Sequence, residues 1–160
     1  MPSIIPNLWP NDIEVDVVPP VTILRAQASH LGPLTRGILE AEVTTVTANG
    51  DRLAHRLDLI APALGDYRRT ILTLTHNRDM FYPVTLEAEC FRPKSKGLLG
   101  TPLSEVLTGE WRPLVATQNE LIDRTRQVLQ SVEVRSLIQS LIARSKEQQP
   151  EGADTGDAAR

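Results

Sequence analysis

The sequence predicts an α+β fold: an antiparallel β-meander of about four strands packed against an N-terminal helix and C-terminal helices, with an N-terminal edge strand as an optional addition. Three observations carry that prediction. Residues 38–90 form strand-like runs separated by short turns, Asn49-Gly50 sits where a hairpin must reverse, and apolar residues take up helical spacing from Thr117 onward.

Residues 1–18 read as an irregular or strand-like segment held on the body by Ile4, Ile5, Leu8 and Trp9, with the alternation Ile13, Val15, Val17 offering the edge strand. Pro19 and Pro20 preset φ for a helix start. Leu24, Ala28 and Leu31 then fall on one stripe, and Gly32-Pro33 is expected to end the helix.

Asn49 and Gly50 suit a two-residue type I′ turn, because both reach positive φ at low cost. Pairing Ala48 with Asp51 across it would set Glu42 against Leu57. A β-bulge near Thr44 and Thr45 is therefore predicted, returning Leu39, Ala41 and Val43 to the face of Leu57 and Leu59. After a turn at residues 62–66, Leu72 and Leu74 point inward. Asn77, Arg78 and Asp79 make the next turn, and Tyr82, Val84, Leu86, Ala88 and Cys90 share the inner face of the fourth run.

The same counting sets Asp58, Arg69 and Glu87 abreast on the outer face, with Glu40 and Glu42 extending its acidic side. Such a row stabilises a sheet by roughly 0.2–1 kcal/mol per favourable pair. Pro83, lacking a donor, belongs on an edge strand or at a strand end.

Thr101 reads as the cap of a short helix with Pro102 at its first position and Gly109 beyond its end, after an exposed loop. Thr117, with Glu120 three residues on, caps the next helix, whose stripe is Leu121, Ile122, Thr125, Val128 and Leu129. The following stripe, Val134, Leu137, Ile138, Leu141 and Ile142, has a different phase, so a break near Gln130 to Val132 is expected. Residues 19–146 form a single domain on this reading, and residues 147–160 a disordered tail.

Composition narrows the function classes. With 17 Lys and Arg against 20 Asp and Glu, the net charge of −3 gives no overall attraction for nucleic acid or anionic lipid. Cys90 is the sole cysteine, which excludes an internal disulfide and multi-cysteine metal sites and fits a reducing cytoplasm. Neither a basic start with an unbroken apolar run nor an eighteen-residue apolar window is present, so no membrane association is expected.

No phosphate-loop, dinucleotide, zinc-protease or serine-hydrolase motif occurs, and no cofactor or metal is expected. The residues able to move protons near neutral pH are His55 and His76, with Asp79 as the neighbouring carboxylate; spacing along adjacent strands argues against the two rings sharing a site. His55 reads as a core histidine, His76 as a turn hydrogen-bonder, and His30 as a group beside helix-end carbonyls.

For binding, the candidates are Trp9 and Trp111 as anchors, Lys94 and Lys96 as anion contacts, and Arg69 on the sheet. Arg68, Arg69 and Arg78 are interleaved with Asp66, Asp79 and Glu87, which makes nucleic acid an unfavoured partner. The expectation is a non-enzymatic interaction or ligand-sensing domain, binding protein or a second copy of itself. The alternative is a small hydrolase or nuclease using histidine acid–base chemistry.

Overall fold

The computed structural model describes residues 6–92 and 111–149. Ile4, Ile5, Lys94, Lys96, the helix expected from Thr101 to Gly109, and the tail beyond residue 149 lie outside the described residues. In chain order the elements are helix α1 (Pro20–Leu34), strands β1 (Glu40–Ala48), β2 (Arg52–Ala61), β3 (Tyr67–Asn77), β4 (Val84–Ala88) and β5 (Leu114–Val115), then helices α2 (Gln118–Leu129) and α3 (Val132–Gln148). The strands form one antiparallel sheet in the order β1-β2-β3-β4-β5.

The predicted α+β meander is present, with its fifth strand supplied by Leu114–Val115. Residues 6–18 form no strand. Leu8 and Trp9 do not pack on the body either: they are 82% and 77% exposed.

Helix α1 runs through Gly32 and Pro33 rather than stopping there. Pro33 lies in the last turn, where the only bond it forfeits is the one its N–H would make to the preceding turn. The end comes one residue later, at Leu34, with Thr35 as its C-cap. Arg36 and Gly37 both take positive φ, Gly37 N–H donates to Gly32 O at 2.8 Å and Arg36 N–H to Pro33 O at 3.3 Å, the pairing of a Schellman motif. Thr35 Oγ1 accepts from Leu39 N–H at 3.1 Å and lies 3.0 Å from Leu31 O, tying the helix end to the start of β1.

The β1–β2 hairpin corrects two expectations with one residue. Ala48 pairs with Arg52, so the turn holds Asn49, Gly50 and Asp51 rather than two residues, and only Gly50 has positive φ. That additional turn residue performs the register shift assigned to a bulge at Thr44. Val43 faces Leu57 and Ala41 faces Leu59 along an uninterrupted ladder.

The sheet's irregularity is instead in β3. Leu57 pairs with Leu72 while Asp58 pairs with Thr70, leaving Ile71 as the bulged residue. The expected row of Asp58, Arg69 and Glu87 is lost as a result. Thr70 Oγ1 donates to Asp58 at 2.6 Å, Arg69 faces Leu59 and pairs with Glu89, and Glu87 sits across from Thr73.

The core lies on one face of the sheet, where Leu57, Leu59, Leu72, Leu74 and Leu86 meet Leu24, Leu121, Val128 and Val134 from the helices. The break before α3 is where the phase change puts it. Thr117 Oγ1 accepts from Glu120 N–H to cap α2, Glu120 reaches back to Ala116 N–H, and Ser131 Oγ accepts from Val134 N–H to cap α3. Helix α3 continues to Gln148, slightly past the predicted domain limit. Pro83 directly precedes β4, the strand-end option; its bond to Tyr82 is cis. Among the described residues no helix is long and apolar enough to cross a membrane.

Candidate functional site

His55 and His76 are brought together, against the sequence reading that kept them apart. On β2 and β3, His55 pairs with Leu74 and His76 with Leu53, so the two imidazoles are diagonal neighbours on the covered face. Their Nε2 atoms are 2.9 Å apart and their ring centres 5.0 Å apart, which aims the two nitrogens at each other. The rings are 3% and 2% exposed.

The outer nitrogens are also engaged. His76 Nδ1 is 2.7 Å from Asn77 O and 3.0 Å from Met80 O, and His55 Nδ1 is 2.8 Å from Thr45 Oγ1. Carbonyl oxygens only accept, so His76 carries its proton on Nδ1 and its Nε2 accepts from His55 Nε2–H. His55 Nδ1 is then bare and accepts from the Thr45 hydroxyl. This assignment leaves both rings neutral, as their burial without a hydrogen-bonded carboxylate requires.

Burial holds the His55 pKa down at about 4, with further lowering from His76 and from Arg25 on α1. Every ring nitrogen is committed to a protein partner. A general base needs a free lone pair within reach of a substrate proton, and neither ring offers one. Asp79 is exposed in the turn after β3, and no described hydrogen bond joins it to either ring.

The proposed binding residues are dispersed. Trp111 lies between Arg112 and Arg92, whose guanidinium carbons are 4.2 and 5.1 Å from its ring centre, and both arginines pair with Glu87. Arg69 is held by Glu89 at 3.0 Å. Arg69 and Arg92, with Arg56 and Arg68, border a hollow of about 550 Å³ on the outer face. Glu42 takes Arg68, Glu87 takes Arg92, and Glu89 takes Arg69, so this surface neutralises most of its own charge and Arg56 alone of these has no ion-pair partner among the described residues.

A second hollow, about 170 Å³, opens between α1, α3 and the sheet over Leu57, Leu59 and Ile71, with His30 at its border. Pockets for whole ligands usually span about 300–1,000 Å³, so this one suits a packing defect better than a binding site. Cys90 lies on a 3-10 turn after β4 with its thiol pKa raised, chiefly by burial and then by Glu133. A thiol so held is a poor nucleophile.

The remaining feature is an arm. From Asn7 to Val17 the chain is exposed, and Leu8, Trp9, Ile13 and Val15 are each 70–82% exposed, the last two alternating with Asp12, Glu14 and Asp16. Its root is fixed: Val18 N–H donates to Gln118 Oε1 at 3.0 Å, and Tyr82 Oη donates to Val18 O at 3.2 Å. Sequence reading singled out Trp9 but placed it in contact with the body. The composition of the arm gave the opposite signal, since each apolar residue of the alternating stretch is flanked by acids that keep the segment solvated.

No family model, curated protein or solved structure matches this chain.

Proposed function

We propose that the protein is a non-enzymatic interaction domain that binds another protein through its N-terminal arm. The observation that carries this reading is the arm itself, a tethered extended segment that presents large apolar side chains, including Trp9, to water. Aromatic and aliphatic residues set out this way are the anchors from which interfaces draw most of their energy. The acids between them favour a groove with a basic border. The hydrolase or nuclease alternative loses support because its two imidazoles are sealed and bonded to each other.

The test is fluorescence of Trp9 in a Trp111→Phe background, together with photo-crosslinking from position 15 in the native cell. The reading predicts an indole quenched freely by solute in the purified protein, and a crosslinked adduct of defined mass that disappears when Ile13 is changed to Asp. A Trp9 already shielded in the purified protein, or an adduct indifferent to Ile13→Asp, would overturn it.

A further inference from the structure

The two edges of the sheet are treated differently. At one side β5 contributes only Leu114 and Val115. A two-residue edge offers almost no template for another strand.

At the other side β1 runs for nine residues, Glu40–Ala48, paired on one flank by β2 and by no other described segment. It contains no proline, lysine or bulge, its charges, Glu40 and Glu42, are confined to its first half, and its second half reads Thr44-Thr45-Val46-Thr47-Ala48. Its outward N–H and C=O groups are therefore a ready ladder for one more strand.

We infer that this edge pairs antiparallel with β1 of a second copy, about a two-fold axis through Thr44. In that register all nine residues of β1 are paired and no like charges are opposed. With Thr44 opposite Thr44, Val43 meets Thr45, Glu42 meets Val46, Ala41 meets Thr47 and Glu40 meets Ala48, so every residue of the strand is paired. Each acid faces an aliphatic residue of the other copy and none faces an acid. Centring the axis on Glu42 would instead oppose two carboxylates, which is destabilising.

The charges beside the edge suit this arrangement. Glu42 is already paired with Arg68 of its own sheet, which offsets part of the negative charge it brings to the seam. The axis through Thr44 keeps the helices of both copies on one side, because opposed residues must project to the same face of a continuous sheet. The N-terminal arm is a poorer occupant, since Asp12, Glu14 and Asp16 would run beside Glu40 and Glu42.

Mass measurement by sedimentation or light scattering tests this on the full chain. The wild-type protein is expected to approach twice its 17.7 kDa chain mass as concentration rises. Thr44→Asp and Thr44→Lys each place like charges on the axis and are each expected to halve that mass, whereas an equimolar mixture of the two restores it. Val46→Lys, which faces Glu42 of the second copy, is expected to hold the dimer to lower concentration without depending on either Thr44 variant folding. A wild-type protein monomeric at every concentration, or a dimer that neither Thr44 substitution weakens, overturns the inference. The arm proposal is untouched by either result, because Trp9 exposure is read separately.

Discussion

The Nε2 atoms of His55 and His76 face each other at 2.9 Å on the covered side of the sheet, so one proton serves both rings. The chain continues from the Thr45 hydroxyl on β1 through both imidazoles to the carbonyls of Asn77 and Met80. It links β1, β2, β3 and the turn that follows β3 in one buried polar path. A path satisfied at every member positions strands relative to one another, and its cost appears when one member is removed or charged.

Acid is the first means of charging it. The His55 pKa of about 4 lies below the unfolded value near 6.5, so over that interval the unfolded chain binds the proton and the folded chain does not. The stability contributed by neutral His55 is complete above pH 6.5, is lost as pH falls toward 4, and loses nothing more below that. At about 1.4 kcal/mol per pH unit, the interval corresponds to about 3 kcal/mol. Urea titrations from pH 7.5 to pH 4 should show that decline in the wild type and a shallower one in His55→Leu; parallel profiles would contradict the assignment.

Removing one ring should cost more than its share. His55→Leu leaves His76 Nε2 buried without its donor, and His76→Leu leaves His55 Nε2–H without its acceptor. Each single change is expected to destabilise by about 1–3 kcal/mol, while the double change His55→Leu/His76→Leu costs clearly less than the sum. Additive losses in chemical denaturation would mean that the rings do not depend on one another.

Thr125 supplies a test in the opposite direction. It is buried on α2 and its Oγ1 has no hydrogen-bond partner, as is also true of Ser145 Oγ on α3. Replacing an unsatisfied hydroxyl by a methyl of the same shape removes a desolvation cost, so Thr125→Val is expected to stabilise by about 1 kcal/mol. A lowered urea midpoint for this variant would show that the hydroxyl has a partner in solution.

Much of this fold is legible in the sequence because it rests on period and punctuation. The inward sets Leu72, Leu74 and Val84, Leu86, the cap at Thr117, and the break between α2 and α3 all follow from short-range rules. Register was less legible. The mismatch between Glu42 and Leu57 was apparent from the residues, but whether the turn or the strand absorbed it depended on Asp51, which is as acceptable in a three-residue turn as at a strand start. The bulge at Ile71 carries no local mark, since Ile71 and Leu72 are both apolar and both buried.

The histidine pair was missed for the same reason. The sequence reads His55 as a core histidine near Leu72 or Leu74; it pairs with Leu74, and His76 stands two residues further along the same face, so the contact follows once cross-strand diagonals are considered as well as direct partners. The free arm was misread because its apolar residues were weighed without the acids between them.

The central claim is that the two imidazoles form a closed, neutral hydrogen-bonded pair and not a reaction centre. Nitrogen-15 NMR of the histidine rings reads it directly. The account predicts, at pH 7, protonation of His55 on Nε2 and of His76 on Nδ1, with His55 showing no titration near its ordinary value. A charged ring at pH 7, the opposite tautomer at His76, or a titration of His55 near pH 6.5 would contradict it.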